Sequence, residues 1–302
     1  MTTTRRSARL LAKAATSVST VPEATKSPGK RKATTAPAPD KKSKQTATSA
    51  TGPRAPVLSP GVALSDPDVM EAAVAHLKAA DPKLGAVIDG IAEQCTMSLP
   101  RDKSTNTSFI SLCQSVIYQQ LAGSAARAIL RRFLRRYGTL KDEEKRALLD
   151  DPRSELTEDD FYFPTPEAMV RLDVEDMRHA GLSQRKGEYL KAVAEKFHDG
   201  TLSDTLLAGM SDSEVSRSLV AIRGIGQWTA DMFLMFHLKR PNVLPTLDLA
   251  VRKGMAQHFG VPFGKKTPAH NELVELAQIW EPYRSVATWY MWRVANTITQ
   301  KS

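Results

Sequence analysis

The residues with chemistry to offer are one aspartate, one glycine-spaced turn and a few electron-rich rings. Asp248 ends the run Pro245-Thr246-Leu247-Asp248, where an apolar-periodic segment begins. A carboxylate so placed either caps its helix by accepting backbone N–H groups or serves as a base or fixed charge at a reaction centre. Upstream, Ala221-Ile222-Arg223-Gly224-Ile225-Gly226-Gln227-Trp228-Thr229-Ala230 joins two amphipathic segments through glycines two apart. Glycines there permit positive φ and close backbone approach. The helix that follows opens with N–H groups lacking intrahelical partners and with a positive dipole end, which together bind phosphate without Lys or Arg. By itself such a turn is more often a plain connector. Trp228, Trp292 and Tyr118 are electron-rich rings that also read as core packing.

Other chemistries are excluded. Cys95 and Cys113 are the chain's two cysteines, too few for a disulfide framework, a Cys-rich zinc site or a four-cysteine iron–sulfur cluster, and they fit a reducing intracellular compartment. The six histidines, from His76 to His270, are scattered without divalent-metal spacing. No apolar run approaches the roughly 18–20 residues that span a bilayer, so no membrane is expected as partner.

From Asp66 onward apolar positions recur every three to four residues, which predicts a mostly helical body. Thr165-Pro166-Glu167, the Ser211–Glu214 capping box and Thr267-Pro268 mark helix starts, and Gly138 and Gly200 mark ends. The expected helices cover roughly 66–80, 84–95, 108–121, 124–137, 166–171, 174–180, 184–198, 212–221, 227–239, 248–258, 268–279 and 283–298. The acidic stretch 141–160 reads as a surface insertion.

Four segments then fall in a telling order: Ile117-Tyr118-Gln119-Gln120-Leu121, the Gly224–Gly226 turn, Val243-Leu244-Pro245-Thr246-Leu247-Asp248, and Trp280-Glu281-Pro282-Tyr283-Arg284-Ser285 with Trp292-Arg293. Gly181-Leu182-Ser183 and Lys186 fit the same series. Over residues 108–296 the chain resembles the DNA-3-methyladenine glycosylase II family of the helix-hairpin-helix DNA glycosylases. The resemblance implies an all-α fold of two lobes flanking a cleft, here residues 61–108 plus 265–302 and residues 109–264. It implies a monomer acting on double-stranded DNA with alkylated bases, and excision of alkylated purines in base-excision repair. Asp248 becomes the catalytic carboxylate, stabilising an oxocarbenium-like sugar and orienting water. Trp228, Trp292 and Tyr118 become the pocket for a flipped cationic base. Gly224, Ile225, Gly226, Gln227 and Thr229 of the hairpin, Gln119, Gln120, Leu121, Arg284 and Ser285 become DNA contacts, with Leu121 as the wedge filling the gap left by flipping. Leu121 also reads as a buried residue ending a helix. No cofactor is implied beyond a sodium or potassium ion on the backbone of Arg223 and Gly226.

Two alternatives stand beside this reading. A bifunctional glycosylase/lyase needs a Lys amine after the hairpin, where this chain has Trp228. A non-catalytic helix-hairpin-helix module needs neither Asp248 nor an aromatic cleft. The chain departs from relatives at Arg223, where many have Pro, and at Leu247, where some carry a second acid.

Charge divides the chain. Residues 1–60 hold twelve basic and two acidic residues, so the tail carries +10 of a total of +9 and the body is left at −1. Poor in large apolar side chains, the tail is expected to be disordered. Its knots Lys30-Arg31-Lys32 and Lys41-Lys42-Ser43-Lys44 read as a nuclear import signal, its first 22 residues alternatively as a mitochondrial presequence, or the charge simply solvates a linker. Removing residues 1–60 should weaken salt-sensitive, nonspecific DNA affinity while sparing single-turnover chemistry at saturating enzyme; loss of that chemistry would contradict the division.

Overall fold

The computed structural model describes residues 58, 62–91, 106–149, 151, 154–264 and 269–299. Cys95, the Thr267-Pro268 helix start and, apart from Leu58, the basic tail lie outside the described residues.

The described chain is helical, as its periodicity requires. Its order is α1 (Pro67–Ala80), α2 (Pro82–Ile91), α3 (Ser108–Tyr118), α4 (Gly123–Tyr137), α5 (Pro166–Arg171), α6 (Val174–Met177), α7 (Gln184–His198), α8 (Asp204–Gly209), α9 (Asp212–Val220), α10 (Gln227–Met232), α11 (Leu249–Phe259), α12 (His270–Leu276) and α13 (Arg284–Thr299). The caps act as their chemistry dictates. Thr165 accepts from the Ala168 N–H behind Pro166, Ser211 and Glu214 close a reciprocal capping box, and Gly138 ends α4. Two features were not anticipated. Ser203 caps the short α8, and a two-residue antiparallel ladder pairs Thr139 with Tyr162 and Leu140 with Phe161. That ladder closes the base of the acidic insertion, which salt bridges also pin through Lys145–Asp160 at 2.6 Å and Arg127–Glu158 at 3.6 Å.

Two hydrophobic cores form. One gathers Phe109, Ile117, Phe133, Leu190, Leu219, Ile225 and Val243 from α3 through the segment after α10. The other gathers Leu77, Leu84, Val251, Met255, Trp280 and Met291. The second core corrects the expected lobe boundary: α11, placed by sequence with residues 109–264, packs through Val251 and Met255 into the lobe of α1, α2 and α13. The cause is Gly254, where a Cβ would collide with the carbonyl of Met291, so α11 and α13 cross backbone against backbone. A buried polar bolt adds to this lobe. Asp81 accepts from Trp280 Nε1 at 2.8 Å and from the Leu84 N–H at 3.0 Å, and pairs with His258 Nε2 at 2.6 Å. Phe236 and Trp292 touch both cores and stand where the lobes meet. Among the described residues no helix is long and apolar enough to cross a membrane.

Gly254→Ala should therefore force α13 away from α11 and cost about 3 kcal/mol, the upper part of the overpacking range. Urea unfolding of the variant beside wild type measures it.

Candidate active site

Asp248 sits in a tight turn, its N–H bonded to the Pro245 carbonyl at 2.9 Å, and it caps α11. Its Oδ1 accepts from the Val251 N–H at 2.9 Å and from Trp292 Nε1 at 3.0 Å, and its Oδ2 accepts from Trp228 Nε1 at 2.9 Å. The helix-cap and reaction-centre readings are thus compatible, because one carboxylate can do both. Three N–H donors offset the cost of burying a residue that is only 5 % exposed. The residues on either side reverse the usual pattern, Leu247 being 59 % and Leu249 47 % exposed.

Each tryptophan is placed by its own element. Trp228 is the second residue of α10, directly after the hairpin. Trp292 lies on α13 next to Met291, so the Gly254 crossing sets its height over the N-terminus of α11. One face of Trp292 stacks on Phe236, with ring centres 5.7 Å apart and planes 18° off parallel. Phe236 belongs to a π-helical turn, Phe233–His237, that continues α10. Such turns often occur at functional sites.

The hairpin is built as its glycines suggest, but the two glycines do different work. Gly224 has φ +94°, and a Cβ there would strike the ring of Tyr189, whereas Gly226 has open space and caps α10. Ile225 plugs the turn into the core. The N–H groups of Gln227, Trp228 and Thr229 precede the first intrahelical bond, Ala230 N–H to the Gly226 carbonyl. Arg223, in place of Pro, pairs with Glu188 at 3.0 Å and lies over the Tyr189 ring.

The remaining expected site residues divide. Gln119 reaches the hairpin, its Nε2 donating to the Gly224 carbonyl at 3.0 Å. Gln120 takes a left-handed conformation with φ +57°, and Leu121 follows it half-buried. Ser285 is corrected as a DNA contact: it is 1 % exposed, its hydroxyl donates to the Arg240 carbonyl and accepts from the Val243 N–H, and its own N–H goes to Pro241. Arg284 is corrected likewise, since its guanidinium is largely buried and bonded to Asn242 and Glu281. Thr229 has a buried side chain, which leaves its backbone N–H as its only group for DNA. Gln227 spends its amide on Ser216 and on Asp231 at 2.8 Å. Tyr118 is half-buried, engaged with Arg127 and Glu158, and no bond among the described residues joins it to Asp248. The aromatic frame seen here is therefore Trp228, Trp292 and Phe236.

Two residues escaped the sequence reading. Phe236 carries no signal in the sequence that separates it from core, and only its stacking on Trp292 distinguishes it. Asp231 interrupts the apolar run of α10, a signal that was available; burial pushes its carboxyl up to about 6.

Residues 113–282 match the family described as HhH-GPD superfamily base excision DNA repair protein. The chain is 33% identical over 182 residues to the YfjP protein of Bacillus subtilis, covering 60% of this chain and 57% of that one. It is 32% identical over 186 residues to DNA-3-methyladenine glycosylase 1 of Schizosaccharomyces pombe, covering 61% and 71% respectively. Among solved structures it is similar to the 3-methyladenine DNA glycosylase Mag1 of that yeast in complex with abasic DNA, with a TM-score of 0.56 and 29% identity over 74% of this chain and 95% of that one.

Because the folded form holds the Asp231 proton more tightly than an unfolded chain does, the stability from that proton is full below about pH 4 and is lost as pH rises to about 6. Asp231→Asn keeps an acceptor for Gln227 and removes the titration. It should be more stable than wild type at pH 7.5 by about 1–2 kcal/mol, with a flatter profile between pH 4 and 7 in denaturant unfolding.

Proposed function

Since the chain belongs to the HhH-GPD superfamily of base excision DNA repair proteins, we propose that it is a monofunctional DNA glycosylase that flips alkylated purines out of double-stranded DNA and hydrolyses their N-glycosidic bond. One observation carries this reading: the carboxylate of Asp248 held between the indole N–H groups of Trp228 and Trp292. A base alkylated on a ring nitrogen carries positive charge and departs as a neutral molecule, so protonation of the leaving group is not required. What the reaction needs is a binding place for the cation and an anion beside the sugar as C1′ becomes positive. The ring faces supply the first at about 1–2 kcal/mol per ring when dry, and Asp248 supplies the second. The same carboxylate orients the attacking water.

Hydrolysis without strand cleavage follows from what stands beside Asp248. The residue after the hairpin that would need an amine for lyase chemistry is Trp228, and Lys253, five residues beyond Asp248, projects from another side of α11. DNA is held at the hairpin, where the first N–H groups of α10 meet a phosphate. The neutral carbonyls of Arg223 and Gly226 suit sodium or potassium, and Gly226, though bonded to Ala230, keeps a second lone pair. Such an ion would add positive charge where the phosphate docks.

The reading is tested with methylated duplex DNA. Wild type should release modified purines and leave an uncleaved abasic strand, and borohydride should trap no covalent adduct. Asp248→Asn should bind an abasic duplex about as tightly as wild type but lose at least about 100-fold in single-turnover excision. Near-normal excision by that variant, or a trapped adduct, contradicts the proposal.

A further inference from the structure

Helix α3 ends at Tyr118, and the next three residues form a tight turn. Gln119 has φ −51° and ψ 131°, Gln120 has φ +57°, and the Leu121 N–H returns to the Tyr118 carbonyl at 3.3 Å. These values describe a type II turn with Gln119 and Gln120 at its centre. Type II turns want Gly or Asn at the second central position, because φ there is positive. A Gln there favours the type I alternative, in which the central peptide is flipped and its carbonyl points the opposite way.

Something must hold that carbonyl, and Lys186 does. Its ammonium donates to the Gln119 carbonyl at 2.8 Å and to the Ile117 carbonyl in the last turn of α3 at 2.7 Å. The position is otherwise poor for a cation. Lys186 is the third residue of α7, its N–H capped by Ser183, where the helix dipole is positive and a Glu or Gln is the usual choice. It is half-buried, and burial lowers its ammonium to about 8. Both of its bonds from Nζ run to backbone carbonyls, with no carboxylate in between. A desolvated ammonium at the wrong end of a helix is disfavoured for α7 itself, so its benefit lies in the loop it grips.

We infer that Lys186 is a positioning residue that selects the type II form of the Tyr118–Leu121 turn and thereby sets the angle at which Leu121 is presented to DNA. The side chain of Gln119 ties the same turn to the Gly224 carbonyl, so the wedge loop and the phosphate-binding hairpin act as one rigid edge. This inference rests on the proposed role of Leu121 in filling the flipped-out gap, while the turn itself can be tested separately.

The experiment is a double-mutant cycle between Lys186→Met and Gln120→Gly, since Gly prefers the type II turn without help. With Gln at 120, Lys186→Met should lower single-turnover excision about tenfold or more and reduce the fluorescence rise of a 2-aminopurine placed beside an abasic site. With Gly at 120, the same substitution should cost less than about threefold. A purely structural Lys186 would lose as much in either background. The intraresidue HN–Hα NOE of residue 120 reads the turn directly: strong, from positive φ, in wild type and weak, from negative φ, in Lys186→Met. Equal losses in the two backgrounds overturn the inference, and so does a positive φ retained in Lys186→Met. A wild type that excises nothing would overturn the proposed function, and the NOE of residue 120 would still decide this one.

Discussion

A carboxylate taken out of water must be given donors, and Asp248 is given three from three separate stretches of chain: its own helix, the start of α10 and the middle of α13. Breaking a buried charge from one partner costs several times what a neutral hydrogen bond is worth. That asymmetry ties the architecture to the site. Helix α10 must begin where the hairpin lets it, which requires Gly224 to fold over the Tyr189 ring, and α13 must lie against α11 closely enough for Trp292 to reach, which requires Gly254. The two lobes are thus joined through the residue proposed to do the chemistry. Phe236 backs Trp292 from a π-helical turn and touches both cores, so it carries packing across the same seam.

Local signals in the sequence reached this far and no further. Caps, hairpin glycines and apolar periodicity are short-range, and the helices behind Thr165, Ser211 and Gly226 form where they indicate, whereas the helix expected from residue 268 is described only from His270. Asp248, Trp228 and Trp292 were legible as candidates because their segments resemble a known pattern, yet nothing local says that both indoles bond to one carboxylate across 20 and 44 residues. Arg284 and Ser285 failed for the opposite reason. Polar residues at a helix start look available to DNA, but here α13 begins inside the protein and spends them on Arg240, Asn242 and Val243. The place of α11 was misjudged because helix periodicity identifies an apolar face without naming the lobe it packs against; a glycine at one crossing decided that.

The body's charge of −1 is less of an obstacle to DNA binding than it first suggests. Many of its arginines are already committed: Arg240 closes the α8 carbonyls, Arg132 bonds to Ala180, and Arg135 reaches Asp151 and Ser154. In the proposed scheme the duplex need not be recognised by side-chain charge. Backbone N–H groups at the start of α10 recognise it at fixed positions, and their partial charges cost no side-chain entropy to place. In the proposed scheme loose electrostatic capture falls to the basic tail, with its twelve basic and two acidic residues.

One ring can serve two purposes here because its charge distribution is anisotropic. The indole N–H lies in the ring plane, and its edge donates to Asp248; the negative face lies at right angles and is what a cation feels. Trp228 and Trp292 can therefore hold the carboxylate and stack on a cationic base at once. For Trp292 one face is already covered by Phe236, which resists rotation of the ring about its attachment, so only the opposite face could meet a ligand. A Phe at either position would keep the face and lose the edge bond, and Asp248 would then be buried with a lone pair unserved. The requirement at 228 and 292 is thus for indole in particular, set by the carboxylate as much as by the base.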